Sequence, residues 1–197
     1  MFKFNFCTIE KSCNKLYILN MKLLIASDIH GSFYYANKLI DVYQKNNFDK
    51  IILLGDILYH GPRNDLPKDY APKKVIELLN HLASNIVCVR GNCEAEVDQM
   101  VLDFDVLSDH TYFNCDNIQF YLAHGHHDYP KLNDGDVFLS GHTHIPLIEK
   151  MENGALHINP GSISIPKGGF ANSYAVYNNH ELQILDFEGN IINSTSL

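Results

Sequence analysis

The chain has 197 residues, a formal net charge of −8 and 46% hydrophobic residues. That length and balance fit one globular domain with a sizeable buried core. The acidic surplus excludes a general nucleic-acid binder, because phosphate backbones are held by Lys and Arg.

Residues 1–20 contain no continuous apolar core and no small-residue cleavage site, so they do not read as a signal peptide. They contrast with "MKLLIASDIHG", which opens at Met21 as a natural first strand. The expectation is an N-terminal extension over 1–20, not part of the native start, and a single domain over 21–197. "KLLIAS" (22–27) is a predicted buried strand, 33–46 a helix and "KIILLG" (50–55) a second strand. A loop rich in Gly, Pro and Asn (60–72) leads to a helix over 73–83 and a strand "IVCVR" at 86–90. This strand–helix rhythm is that of a parallel α/β sheet. The second half reads as shorter strands near 110–114, 117–123, 136–140, 145–150, 154–158, 173–178 and 181–187. Turn signals such as Asn153-Gly154, Asn178-Asn179 and Glu188-Gly189 suggest antiparallel hairpins there. Two stacked sheets in one domain is the simplest architecture. No apolar run approaches the about 18 residues of a membrane span. The five cysteines, Cys7, Cys13, Cys88, Cys93 and Cys115, follow no metal-knuckle or disulfide spacing and point to a reducing, cytoplasmic setting.

Five segments share one design, an apolar run followed by a tight polar turn: "LLIASDIHG", "IILLGDIL", "IVCVRGNCE", "QFYLAHGHH" and "DVFLSGHTH". In each a glycine adjoins a metal-ligand type of residue, which suggests a backbone bend closed to other residues. Ligands of open α/β sheets bind beyond the carboxyl ends of strands, where such turns would converge. Asp28, His30, Asp56, Asn92, His124, His142 and His144 offer carboxylate, amide and imidazole donors, a mixed set suited to Mn, Fe or Zn. Asp28-x-His30 and His142-x-His144 would place both side chains on one side of an extended segment. Seven ligands exceed one tetrahedral site and suit two ions about 3.5–4 Å apart, with Asp56 as the bridge.

The ordered set "DIHG", "GDIL", "GNCE", "AHGH" and "GHTH" resembles the calcineurin-like metallophosphoesterases over residues 21–197. Within them "GDILYHGPRNDLP", "YAPKKVIELLN", "RGNCEAEVDQM" and "NPGSISIPKGG" look most like the bacterial YfcE-like phosphodiesterases. The resemblance implies a four-layer α/β–β/α sandwich of two mixed β-sheets flanked by helices. It implies one cation on Asp28, His30, Asp56 and His144, and a second on Asp56, Asn92, His124 and His142. Asp56, Asn92 and His124 become the catalytic set around a bridging water. The cofactors are then two divalent ions, Mn²⁺ foremost, with Zn²⁺, Fe²⁺ or Ni²⁺ as alternatives. The neutral imidazoles need partners for their other nitrogen, with Asp128, Asp136 and backbone carbonyls as candidates.

His60, Arg63 and Asn64, in the loop after Asp56, are candidate substrate contacts, with Arg63 on a phosphate oxygen. His126 and Cys93 join them. Many relatives carry histidine where Cys93 stands, and that histidine is thought to protonate the leaving oxygen. "HINPGS" (157–162) reads as structural support, and His81, His110 and His180 as surface residues. The expected activity is hydrolysis of a small phosphodiester, without general nucleic-acid or membrane binding, and with a homo-oligomer left open. The alternatives are a phosphomonoesterase or nucleotidase on the same site, or a non-catalytic scaffold of this fold.

Overall fold

The computed structural model describes residues 21–127 and 131–197. The expected extension over 1–20, and Asp128, lie outside the described residues. The chain runs through β1 (Leu23–Ala26), α1 (Phe33–Lys45), β2 (Lys50–Leu53), α2 (Pro72–Asn80), β3 (Ile86–Cys88), α3 (Glu96–Gln99), β4 (His110–Cys115) and β5 (Ile118–Ala123). It continues with β6 (Val137–Leu139), β7 (Pro146–Lys150), β8 (Leu156–Pro160), β9 (Ser173–Asn178), β10 (Glu181–Asp186) and β11 (Ile191–Ser196). One sheet has the order β11-β10-β9-β1-β2-β3 and the other β4-β5-β6-β8-β7.

β1, β2 and β3 are parallel and apolar on both faces, as strands covered on both sides must be. Leu24, Ala26, Ile51 and Leu53 face α1 and α2, whose buried Ala36, Leu39, Ile40, Val75 and Leu79 recur at helical spacing. Leu23, Ile25, Ile52 and Leu54 face the other sheet and meet Phe120, Leu122, Val137, Leu139 and Ile158. One core thus lies between the first sheet and the helices and a second between the two sheets. The second sheet's outer face carries Tyr121 and Phe138, covered by Leu132 from the loop before β6.

The second half departs from the expected run of hairpins. β4–β5, β7–β8, β9–β10 and β10–β11 are antiparallel, but β5, β6 and β8 lie parallel. β6 is only Val-Phe-Leu, buried on both faces, and turn signals around it say nothing about which neighbour it joins. β9 then crosses to the first sheet and pairs antiparallel with β1. β11 and the short α3 had no prior signal, since both lack buried apolar residues at a regular spacing. Among the described residues no helix is long and apolar enough to cross a membrane.

One polar contact reaches into the core between the sheets. Tyr177, fully buried on β9, donates its hydroxyl to Asp116 at 2.7 Å. Asp116 sits with Asn117 in the two-residue turn joining β4 and β5, both at positive φ. Tyr177→Phe keeps the ring and removes that donor. It should lower stability by about 1–3 kcal/mol, read as a fall in denaturation midpoint; an unchanged midpoint would show that the hydroxyl contributes nothing.

Candidate metal centre

Five strands deliver the candidate residues from their carboxyl ends: β1 gives Asp28 and His30, β2 Asp56, β3 Asn92 and Cys93, β5 His124, and β6 His142 and His144. The turns are bonded tip to tip. Asp28 N–H donates to the Gly55 carbonyl at 3.2 Å, His30 N–H to Asp56 at 2.9 Å and Gly141 N–H to His124 at 3.0 Å. Asp28, His30, Asp56, His142 and His144 all have φ between 49° and 66°. They are therefore left-handed turn residues, and the two Asp/His-x-His pairs are not extended as their spacing suggested. Non-glycine residues reach this region at a cost of about 1–2 kcal/mol each.

Glycine serves a different need at Gly91. A Cβ there would stand 2.2 Å from Asp56 Oδ1 and 2.4 Å from Asp56 N. The reason for glycine is close approach of two turns, rather than the sharp bend expected. Gly141 likewise leaves room for Ser27 and Asp28, whose Oδ2 lies 2.9 Å from where its Cβ would be.

The imidazoles are oriented by backbone carbonyls. Nδ1 of His30 donates to Tyr59 at 2.7 Å, of His124 to Leu54 at 2.5 Å and of His144 to Ile165 at 2.6 Å. A carbonyl only accepts, so each Nδ1 carries a proton and Nε2 is the nitrogen turned inward, bare whenever the ring is neutral. Those nitrogens meet acceptors: His144 Nε2 lies 3.2 Å from Asp28 Oδ1, His30 Nε2 3.5 Å from the same oxygen, and His124 Nε2 3.6 Å from Asp56 Oδ2. The Nε2 atoms of His30 and His144 are only 3.3 Å apart. Asn92 Oδ1 faces His124 at 3.2 Å and His142 at 2.7 Å. Asp28 Oδ1 is buried with no hydrogen-bond donor among the described residues. Facing lone pairs on buried carboxylate and imidazole groups repel one another unless a proton or a metal cation stands among them. Without a metal there, and against the pull of burial, Asp28 raises His30 above its ordinary value and Asp56 raises His124 to about 9. The donor set fits divalent metal. Of the other partners expected for these rings, Asp136 instead accepts from Asn133 N–H at 2.7 Å.

Supporting residues lie one layer out. Glu94 is 5% exposed and takes three backbone donors: Gly91 at 2.5 Å, Ile57 at 2.7 Å and Asp56 at 2.9 Å. It ties the β2 turn to the β3 turn. Burial and the nearby Asp56 charge push its carboxyl up to about 7, against the pull of those N–H groups. Asn159 donates to Gly141 at 2.6 Å and Thr143 at 3.1 Å, bracing the turn that carries His142 and His144. Ser162 and Ser164 both donate to the Asp28 carbonyl at 2.9 Å.

A cavity of about 290 Å³ opens over this cluster, lined by His30, Asp56, Asn92, His142 and His144 and, at its rim, by Arg63, Asn64, Cys93 and Lys167. His60 and His126 are not in its lining. The His60 ring packs edge-on to Tyr59 and Tyr70, and its carbonyl accepts from Asn64 at 2.8 Å, so it shapes the loop. His126 sits among the rings of His124, His127 and His142; burial and these neighbours lower it to about 4. Burial and the Asp56 charge push the Cys93 thiol well up, and its Sγ lies within 4.8 Å of ligand atoms of His30 and Asp56. The sequence patterns single out neither Glu94 nor Lys167. Glu94 had a signal in directly following "RGNC"; Lys167 had only its place in "SIPKGG".

Fold and site together define a metallophosphoesterase. The chain belongs to the calcineurin-like phosphoesterase superfamily, whose domain profile matches residues 21–181. It is 43% identical over 169 residues to phosphodiesterase YfcE of Escherichia coli K12, covering 84% of this chain and 91% of that protein. Phosphodiesterase MJ0936 of Methanocaldococcus jannaschii is 26% identical over 152 residues, 72% of this chain and 83% of that one. The solved structure of E. coli YfcE, described as a phosphoesterase, superposes with a TM-score of 0.86 at 41% identity, covering 89% of this chain and 99% of that one. Zn²⁺-complexed Vps29 from Entamoeba histolytica shares the fold at a TM-score of 0.55 and 20% identity, over 90% of this chain and 98% of that one.

Glu94→Gln sets an amide NH₂ against one of the backbone donors. Stability should fall by about 1–3 kcal/mol and divalent-metal affinity by about 10–100-fold. Calorimetry on the folded variant reads both, and unchanged metal affinity would reduce Glu94 to a purely structural strut.

Proposed function

We propose that this chain is a metal-dependent phosphodiesterase that hydrolyses a small phosphodiester with water as nucleophile. The observation that carries this reading is the set of inward Nε2 atoms of His30, His124 and His144 around Asp28 and Asp56, which matches a cation-binding donor set. The phosphodiesterase name of the 43% identical E. coli relative supports the choice of ester. Asp28, His30, Asp56 and His144 would hold one divalent ion, and Asp56, Asn92, His124 and His142 the other. Mn²⁺ heads the list of occupants for such mixed donors, with Zn²⁺, Fe²⁺ or Ni²⁺ competing by supply. Bound ions supply Lewis acidity toward phosphoryl oxygen and lower the pKa of water.

The chain's own groups do the rest. Arg63 and Asn64 orient a phosphoryl oxygen from the loop beside Cys93, where a Cβ on Gly61 would lie 3.4 Å from Asn64 Nδ2 and 3.5 Å from Cys93 Sγ. Asn92 donates its amide N–H to Cys93 Sγ at 3.3 Å, which turns Oδ1 toward the imidazoles. Cys93, held as a thiol, is a weak donor and offers little proton assistance to a departing alkoxide. The small cavity suits a small diester, and the charge of −8 argues against extended nucleic acid. Residues 21–197 form one catalytic domain in this reading. The free Cys88, Cys93 and Cys115 support a reducing, cytoplasmic setting.

Mn²⁺ should raise the denaturation midpoint, by about 2.7 kcal/mol of stability at a hundredfold excess over its dissociation constant. Chelation should reverse this, and Asp56→Asn should abolish it together with turnover of an aryl phosphodiester. Activity of that variant equal to wild type, across several metals, would sink the enzyme reading. Faster turnover of the corresponding monoester than of the diester would favour the phosphomonoesterase instead. Cys93→His should accelerate alkyl diesters more than aryl ones, because alkoxide leaving groups depend more on a proton donor. An equal gain for both, or none, would show that protonation is not limited by Cys93.

A further inference from the structure

Lys167 lines the same cavity as Arg63, and the segment after β8 that carries it makes a tight turn over Lys167-Gly168-Gly169-Phe170. Phe170 N–H donates to the Lys167 carbonyl at 3.3 Å, and Gly168 and Gly169 have φ of 66° and 79°. Two successive left-handed central residues make a mirror-image turn that glycine pairs adopt without strain. The turn is fastened to a metal-site residue on two sides. Lys167 N–H donates to the His144 carbonyl at 3.1 Å, and the Ile165 carbonyl accepts from His144 Nδ1 at 2.6 Å. Lys167 is therefore held at the cavity rim by backbone bonds. Neither Lys167 nor Arg63 has an ion-pair partner among the described residues.

Two large apolar side chains stand beside it. Ile145, directly after His144, is 39% exposed and Phe170 is 42% exposed. A Cβ on Gly168 would lie 3.3 Å from the Phe170 ring and 3.7 Å from Ile145 Cδ1. Both therefore flank the bare α-carbon of Gly168, with no side chain on Gly168 or Gly169 to cover them. Exposed apolar surface next to a polar, cation-rich cleft is where a ligand's apolar part gains most.

We infer that Lys167, Ile145 and Phe170 form a subsite for a phosphate ester bearing a flat aromatic substituent, an aryl or nucleoside group. Lys167 pairs with the phosphate, and the ring lies on Ile145 and Phe170. This rests on the phosphodiesterase reading above and names the substrate class it takes.

The probes are phenyl phosphate and methyl phosphate, which share the anion and differ in the ring. Their affinities are measured on the metal-loaded full chain, by inhibition of diester hydrolysis and by calorimetry. Wild type should favour phenyl phosphate. Phe170→Ala should narrow that preference by about fivefold while leaving methyl phosphate unchanged, and Ile145→Ala should act the same way. Phe170→Leu, which keeps apolar surface without a flat face, should fall between. Lys167→Gln should weaken both probes alike, by about fivefold. An unchanged preference in Phe170→Ala and Ile145→Ala overturns the subsite, as does equal weakening of both probes, which would make the turn only a brace for His144. Failure of wild type to hydrolyse any diester overturns the parent reading instead, and the calorimetric comparison of the two probes still decides the subsite.

Discussion

Everything at the open end of this molecule answers to the mutual repulsion of the groups gathered there. Ligand atoms of Asp28, Asp56 and His124 lie within 4.8 Å of one another, and both carboxylates are almost fully buried. Two such charges repel by about 3–4 kcal/mol at an effective dielectric near 20. Glu94 adds a third buried carboxylate close by. The gathered groups would not hold this arrangement by themselves. Side chains one layer out, Glu94, Asn159, Ser162 and Ser164, brace the turns, and the backbone holds them too, through parallel strands whose turns are hydrogen-bonded to each other and through N–H groups aimed at carboxylate oxygens. Cys93 N–H on Asp56 Oδ1 at 2.8 Å and His142 N–H on Asp28 Oδ2 at 3.0 Å belong to the same scheme.

The scheme has a conformational cost, borne by residues with side chains. Left-handed backbone at Asp28, His30, Asp56, His142 and His144 concentrates strain at the site. The sandwich behind it supplies the rigidity. Leu24, Ile25, Ile51, Ile52 and Leu53 are wholly buried, so the strand ends cannot relax without opening a core. Pre-set geometry of this kind lowers the cost of binding an ion, because the ligands need not be reorganised.

Two basic side chains line the cavity above the cluster, Arg63 and Lys167. Arg63 comes from the stretch that carries exposed Tyr59 and Leu66, and Lys167 stands beside exposed Ile145 and Phe170. An anion with one flat apolar arm suits such a lining better than an extended polyanion does.

The amino-acid sequence by itself determined the elements and the chemistry they carry. Apolar runs ending in Asp, Asn or His are local patterns, so β1, β2, β3, β5 and β6 and their polar turns were legible, as was the resemblance that goes with them. Tertiary structure alone decided which strands lie parallel in the second sheet, since three buried residues such as Val137-Phe138-Leu139 pair equally well in either direction. It alone assigned the imidazole protons, because the carbonyls that set them lie 21, 29 and 70 residues away in the chain. It alone gave Glu94 and Lys167 their places, one bonded to backbone 37 and 38 residues distant, the other hung from His144. Residue type and spacing encode what a turn can bind. Long-range backbone hydrogen bonds, which carry no side-chain signature, decide how it is aimed.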